Sequence, residues 1–194
     1  MLFKDYTETG VVYHIATIND LNKILQQGIK YDDKVTYKEK YYDFHQFIDD
    51  HRNHNIPIWV SRKKAIFASM NYKSVPVFHS HSVVLAVKII PEHCWIANEN
   101  RGNQIYEPFI LKDVEMFKSA SKYMKKQGVA SVREYWDTSL SFIDNLEKRF
   151  DKKDGYDAEV LILHSIPPEN IEVKYIISDH RVLTLSEWKE IFCQ

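Results

Sequence analysis

One short apolar segment near the end of the chain, Asp157–Leu163, carries a carboxylate where a buried strand is expected. The segment is aliphatic from Val160 onward and lies between a turn-prone Asp-Gly pair and two consecutive prolines, which predicts a β-strand. Because strand side chains alternate between faces, Glu159 shares its face with Leu161 and Leu163. An ionised carboxylate without partners is costly to bury there. Glu159 is therefore expected either at a cleft or on the wet face of an edge strand.

The composition predicts an ordinary globular domain. The chain has 194 residues, 44% of them hydrophobic, enough for a single domain, 1–194, that folds without a metal or a disulfide. Lys and Arg total 26 against 27 Asp and Glu, so the net charge is near zero and does not indicate a nucleic-acid or membrane partner. Two widely separated cysteines and no apolar run of about 20 residues favour a cytoplasmic protein with no membrane partner.

The first half of the chain alternates strand and helix patterns. Val11–Ala16 is β-branched and aromatic and predicts the first core strand. Thr17 then has the residue type and position of a helix cap, and the helical apolar stripe that follows stops at Gly28. The polar residues 31–55 predict a surface helix or a mobile flap.

The next segments predict further elements of a sheet. Ile56–Val60 has the composition of a strand, and Ser61–Tyr72 predicts a helix that Ser61 caps. Ser82–Ile90 is the longest strand pattern in the chain and is expected to lie centrally. Residues 92–112 predict irregular structure.

The second half adds a helical insertion before two late strands. Residues 113–150 predict two helical pieces broken at Gly128. After the Glu159 strand, Ile171–Ile177 predicts another strand and Ser186–Phe192 a short helix. Strands that pair across such long separations are typical of an α+β fold with a split or mixed sheet.

Three segments carry a resemblance to a known fold: Tyr13–Thr17, Trp59–Tyr72 and Ala158–Val160. In this order they resemble the ADP-ribosyltransferase fold of the His-Tyr-Glu type, the class of diphtheria-type toxins and poly(ADP-ribose) polymerases. The order of residue types in the opening strand and helix and in Ala158–Ile171 is also similar to that of DarT-type bacterial transferases, which modify DNA bases. The resemblance implies a split mixed β-sheet core with flanking helices and a helical insertion at about 113–150.

The resemblance implies an NAD-dependent ADP-ribosyltransferase, a glycosyltransferase that moves ADP-ribose from NAD to a nucleic-acid or protein acceptor and releases nicotinamide. Its implied substrate is NAD, with no metal. Glu159 would be the catalytic carboxylate, stabilising the oxocarbenium character that develops when the glycosidic bond breaks. His14, with Thr17 near it, would bind the adenosine ribose, Tyr72 would stack on the nicotinamide, and Ser61 would support the carboxylate.

Each of these residues also has a structural interpretation. Without the resemblance, His14 is a core histidine, Thr17 and Ser61 are helix caps, and Tyr72 packs its ring at a helix end. The alternative functions are a non-catalytic NAD or nucleotide-binding module on the same fold, and an interaction domain that works through the helical insertion. A toxin-like bacterial enzyme would add an antitoxin or neighbouring-gene partner.

Two histidine clusters complete the candidates. His45, His51 and His54 are close in sequence to one another, and His79 and His81 form a second cluster. Their spacings match no strong metal-ligand motif, so the clusters are expected to face water rather than bind a metal.

Overall fold

The computed structural model describes residues 3–31, 38–71, 81–178 and 181–192 of an α+β protein. The strands, in chain order, are β1 Val12–Thr17, β2 Ile66–Ser69, β3 Ser82–Val87, β4 Cys94–Asn98, β5 Leu140–Ser141, β6 Ala158–Ile162, β7 Ile171–Ser178 and β8 Arg181–Thr184. The α-helices are α1 Tyr6–Thr9, α2 Leu21–Gln27, α3 Lys38–Asp50, α4 Glu99–Leu111, α5 Lys118–Tyr123, α6 Val129–Asp137, α7 Phe142–Lys148 and α8 Leu185–Phe192.

The chain divides into two compact units. The first unit comprises Met1–Tyr31, Phe67–Ile90 and His164–Gln194. The second comprises Asp32–Ile66 and Pro91–Leu163. The expectation of one domain stays a prediction. Among the described residues, none of the helices combines the length and apolar composition that a membrane span requires.

The first unit is built on antiparallel strands around β3. This strand pairs with β1 on one side and with β7 on the other, and β7 pairs in turn with β8. The apolar run from Val83 to Val87 is buried throughout. Such an unbroken run is typical of a strand whose two faces are both covered. The central place predicted for this strand within its sheet is confirmed.

The link between β1 and α2 confirms the pattern of strand, cap, helix and glycine. The hydroxyl of Thr17 accepts a hydrogen bond from the backbone N–H of Asn19 at 3.3 Å, capping a short 3₁₀ turn that leads into α2. Gly28 follows with φ +76°, and the next residue, Ile29, exchanges two backbone hydrogen bonds with Ile166, each 2.8 Å long. A side chain at position 28 would reach the Ile166 carbonyl, so only glycine fits this close approach.

The second unit packs helices around β4. This strand lies between β5 and β6, both antiparallel to it, and all five of its residues are buried. The fully buried rings of Tyr135 and Trp136 on α6 and Phe142 on α7 supply much of this core. The Trp136 ring N–H donates to the Ile48 carbonyl at 2.9 Å, which anchors α3 to α6.

The region between α3 and β3 differs from the sequence prediction. Ile56–Val60 is not a strand but two turns, closed by backbone hydrogen bonds from Ile56 to Asn53 and from Val60 to Pro57, each 3.0 Å long. The helix predicted from Ser61 to Tyr72 is also wrong: one turn ends at Ala65 and β2 begins at Ile66. Pairing and burial of alternate residues along β2 outweigh the helical preference of the local sequence.

Residues 92–112 were predicted to be irregular, and that prediction is wrong. They form a short 3₁₀ turn, the buried strand β4 and the long helix α4. The side-chain oxygen of Asn98 accepts from the backbone N–H of Asn100 at 3.2 Å and so starts α4. The polar residues suggested a loop, but they either cap this helix, as Asn98 does, or lie on its outer face, while Ile105 is buried. Pro108 lies inside α4, where proline is normally disfavoured.

The predicted break at Gly128 is also wrong. A π-helical turn, Met124–Gly128, connects α5 to α6 without interrupting the helical path. The interruption comes instead at Leu140–Ser141, where the chain pairs with β4 before α7 begins. A glycine inside a helix costs only about 1 kcal/mol relative to alanine, which tertiary contacts can offset, so pairing with β4 decides where this helical region ends.

Candidate functional site

Strand β6 buries Glu159 within the second unit. Glu159 lies opposite Ala97 of β4, and 5% of its surface is exposed. The carboxylate is therefore buried where an unpaired charge would cost free energy. Whether it is stable there depends on the groups around it.

Glu159 belongs to a buried polar cluster of four side chains. A guanidinium nitrogen of Arg62, Nη1, contacts Glu159 Oε1 directly. The hydroxyl of Tyr135 donates to the same carboxylate oxygen at 2.9 Å. Arg62 Nε donates to His45 Nδ1 at 3.1 Å, so that ring nitrogen is an acceptor and carries no proton. We call Arg62, Glu159, Tyr135 and His45 the arginine–glutamate cluster.

Asp49 of α3 holds the turn that presents Arg62. Its Oδ1 accepts from the backbone N–H of Arg62 at 2.8 Å. Its Oδ2 accepts from the Ser61 hydroxyl at 2.7 Å and from the backbone N–H of Lys63 at 3.0 Å. Three donors on one carboxylate restrain the turn, so the arginine side chain starts from a fixed backbone position.

Helix α4 lies directly against the cluster at Gly102. A Cβ built on Gly102 would lie 3.6 Å from Arg62 Nη2 and 3.9 Å from Glu159 Oε1, which is ordinary van der Waals contact. The helix backbone therefore closes one side of the ion pair. It brings the first turn of α4, which begins at Glu99, to the same place.

Glu99 is a second carboxyl group beside the cluster. Burial is the main cause that raises its pKa to about 7, and the negative charges of Glu159 and Asp157 raise it further. Arg62 acts in the opposite direction without cancelling these effects. The Glu99 side chain is partly exposed, so it can exchange protons with solvent.

The stability of the protein should depend on pH through Glu99. A carboxyl group with a raised pKa binds more protons in the folded state than in the unfolded state, between its ordinary pKa of 4.5 and the folded pKa of about 7. The contribution of this group to stability is therefore fully present below about pH 4.5 and is lost as the pH rises through about 7. The free energy of unfolding of Glu99→Gln minus that of the natural chain should therefore be larger at about pH 8 than at about pH 5, by on the order of 1–2 kcal/mol.

Urea denaturation at the two pH values measures this difference. Glu107→Gln, which removes an exposed carboxylate from the same helix, is the matched control. Equal pH dependence in the natural chain and in Glu99→Gln would contradict the prediction.

The predicted site residues fall in different parts of the chain. Glu159 and Ser61 belong to the second unit, but the Ser61 hydroxyl donates to Asp49. The neighbouring Arg62, rather than Ser61, supports the Glu159 carboxylate, which corrects the role expected of Ser61. The serine is committed to shaping the turn, because its hydroxyl already has an acceptor.

The other three predicted residues are His14, Thr17 and Tyr72. His14 and Thr17 lie on β1 in the first unit. His14 Nδ1 lies 2.7 Å from the Phe67 carbonyl oxygen, so this nitrogen carries the hydrogen and donates it. Thr17 is the helix cap described above. Tyr72 lies outside the described residues, and the NAD-binding roles of all three stay predictions.

Arg62, Tyr135 and His45 were missed as functional residues, each for an identifiable reason. His45 was expected to face water, but it is buried and bonded to Arg62. Tyr135 was interpreted as one member of an apolar helix face, and Arg62 as part of the helix predicted from Ser61 to Tyr72. One signal could have found the arginine: a buried carboxylate needs a cation, and Arg62 follows directly on the predicted site residue Ser61.

The histidine clusters do not form a metal centre in the part of the chain that the structure describes. There, no group of three or more His, Cys, Asp or Glu side chains could hold a metal ion. His51 Nδ1 lies 2.9 Å from the Phe47 carbonyl, within the same helical region. His79 lies outside the described residues.

Because the cluster combines a charged pair, a buried phenol and a nearby carboxyl group of raised pKa, it is the part of the second unit best equipped for chemistry. Comparisons of the chain with protein-family models, with curated proteins and with solved structures give no match. Any function must therefore be argued from the residues of the cluster and their surroundings.

Proposed function

We propose that the protein is an NAD-dependent ADP-ribosyltransferase that transfers ADP-ribose to a nucleic-acid or protein acceptor and releases nicotinamide. The observation that carries the proposal is the Glu159 carboxylate, buried on β6 and bonded by both Arg62 and Tyr135. The sequence resemblance had singled out the same glutamate on independent grounds.

Breaking the bond between nicotinamide and ribose develops positive charge on the sugar. A carboxylate that is already oriented stabilises that charge without reorganising during the reaction. Arg62 and Tyr135 supply this orientation, since each bonds Oε1. We assign the other oxygen, Oε2, to the ribose hydroxyls, where its interaction would strengthen as the transition state forms.

Arg62 and His45 have supporting roles in this proposal. The guanidinium supplies the counter-charge of the Glu159 carboxylate inside the unit. His45 accepts from Arg62 Nε and so fixes the plane of the guanidinium. Asp49 anchors the backbone on which the arginine stands.

A non-catalytic NAD or nucleotide-binding module is the second candidate. One observation favours it: the carboxylate is 5% exposed and fully engaged at one oxygen, an arrangement that a purely structural ion pair also satisfies. A module would bind NAD without consuming it, so the two candidates differ in a single measurable step.

The test is nicotinamide release from NAD by the natural chain and by Glu159→Gln, with single-stranded DNA, RNA or a cell lysate added in turn. Glutamine retains an oxygen for Arg62 but removes the negative charge, so release should fall on the order of 10²-fold. Glu147→Gln, an exposed carboxylate of the same unit, is the matched control and should release nicotinamide at the natural rate.

Thermal unfolding and NAD calorimetry accompany the kinetic assay. Equal release by Glu159→Gln and the natural chain would contradict the catalytic role of this carboxylate. Binding of NAD without release in any mixture would favour the module. Toxicity on expression in bacteria, relieved by Glu159→Gln, would support a toxin-like modifier with an antitoxin partner.

A further inference from the structure

Two carboxyl groups with different surroundings flank the same guanidinium. Glu99 is the first residue of α4, and the preceding Asn98 lies opposite Ala158 in the β4–β6 ladder. The backbone N–H of Glu99 donates to the Asp157 carbonyl at 2.7 Å, which ties the helix start to the chain entering β6. The start of α4 is thus held beside the start of the strand that carries Glu159.

Helical spacing places Glu99 over the cluster. Gly102 follows Glu99 by three positions, so the two residues share a face of α4. The Gly102 position is in van der Waals range of both Arg62 Nη2 and Glu159 Oε1. The face of α4 that carries Glu99 is therefore the face that meets the ion pair.

The groups that face Glu99 come from several elements. Glu159 and Asp157 lie on and just before β6, Arg62 lies on the turn before β2, and Tyr135 lies on α6 and bonds both members of the ion pair. Three carboxyl groups and one guanidinium meet there, so one carboxylate can be matched to the cation and the others cannot. Glu159 is the matched one, because it contacts Arg62 directly.

Glu99 has a raised proton affinity at this position beside the ion pair. Burial and the charge of Glu159 raise the pKa of Glu99 to about 7, near the operating range of a general base. Neighbouring carboxyl groups in different surroundings commonly divide acid–base work from charge stabilisation in active sites.

We propose that Glu99 is the general base that takes the proton of the acceptor, while Glu159 stabilises the ribose. This inference rests on the proposed function. The acceptor oxygen or nitrogen attacks C1′ of the ribose, and the bond between C1′ and nicotinamide breaks. Its electron pair leaves with nicotinamide, which departs neutral, and the acceptor proton passes to the Glu99 carboxylate. The acceptor is therefore a neutral O–H or N–H group, not an ammonium.

Glu159 is poorly placed for the proton transfer. Its carboxylate is buried and is held at Oε1 by both Arg62 and Tyr135. Glu99 is partly exposed, so the proton can leave to solvent after each turnover.

The test is the pH profile of NAD hydrolysis, with NAD alone as the probe and water as the acceptor, from about pH 5.5 to about pH 9. In the natural chain, kcat should rise about tenfold per pH unit below about pH 7 and level off above it. Glu99→Gln should have a nearly flat profile, with kcat at high pH lower on the order of 10²-fold and with KM unchanged. Glu107→Gln should keep the natural profile.

Chemical rescue separates a base from a structural residue. Added formate should restore part of the lost rate to Glu99→Ala, because a small carboxylate can occupy the space of the missing side chain, and it should not stimulate Glu107→Ala. A Glu159-dependent release whose pH profile is the same in Glu99→Gln would overturn this inference and leave the proposed function standing. No release by the natural chain under any condition would overturn the proposed function and this inference together.

Discussion

Arg62→Leu should lower the free energy of unfolding by about 3–5 kcal/mol. The substitution leaves Glu159 buried, with its hydrogen bond from Tyr135 but without a counter-charge. It also removes the donor to His45. The loss is expected to exceed the net contribution of the ion pair itself, because most of it is the cost of an uncompensated charge in the interior. Urea denaturation monitored by tryptophan fluorescence measures it.

Two further variants identify the cause. The double variant Arg62→Leu with Glu159→Leu removes both charges and should recover most of the stability lost in the single variant. Arg101→Leu breaks the exposed pair between Arg101 and Glu134, whose side chains are 39% and 61% exposed, and should cost no more than about 1 kcal/mol. If Arg62→Leu costs as little as Arg101→Leu, the cluster is not the buried and closed arrangement described above.

Gly28→Ala should destabilise the first unit by about 3 kcal/mol or more. The backbone at Gly28 has φ +76° and ψ −170°, a region that only glycine adopts readily. An added Cβ would lie 2.1 Å from the Ile166 carbonyl oxygen, so the backbone bridge between Ile29 and Ile166 would have to separate. Thermal unfolding and hydrogen exchange of the Ile29 amide report the two consequences.

Gly10→Ala is the matched control for that substitution. Gly10 also has a positive φ, +67°, but nothing lies within 4 Å of a Cβ built there. Its replacement should cost only the left-handed backbone strain, on the order of 1 kcal/mol. Similar losses for Gly10→Ala and Gly28→Ala would show that backbone strain, and not the approach to Ile166, governs both sites.

The proposed chemistry and the stability of the second unit depend on the same residues. A variant of Arg62 that unfolds the unit would also abolish activity, so it cannot by itself establish a catalytic role. Glu159→Gln and Glu99→Gln are better probes of function, because each preserves the shape of the side chain while changing its charge.

Local sequence patterns determined several elements of the fold. The path from β1 through the Thr17 cap to Gly28 was predictable because a cap, an apolar stripe and a glycine act within a few residues of one another. The strands β3, β6 and β7 and the terminal helix α8 follow from aliphatic runs and helical spacing of the same kind. The sequence also identified Glu159, since a carboxylate within an apolar strand requires an explanation.

Tertiary structure decided the elements whose local signals conflict. Residues Ile66–Ser69 have neighbours that favour a helix, yet they form β2, in which Ser69 pairs with Tyr13 and alternate residues are buried. Asn98–Asn103 has the composition of a loop, yet it opens α4 because Asn98 caps the helix and Gly102 packs against Arg62. Contacts between residues far apart in sequence outweigh propensities of a few tenths of a kcal/mol per residue.

The partners of Glu159 were also decided by the tertiary structure. The sequence alone established that a buried carboxylate would need compensation, because desolvation of a charge is a property of the residue and its strand. It did not reveal which side chains compensate it, since Arg62 is 97 positions away, Tyr135 is 24 positions away and His45 is linked to the carboxylate through the arginine. Only the folding of α3, α4 and α6 around β4 and β6 brings these groups within hydrogen-bonding distance, because such bonds depend on three-dimensional geometry and not on spacing along the chain.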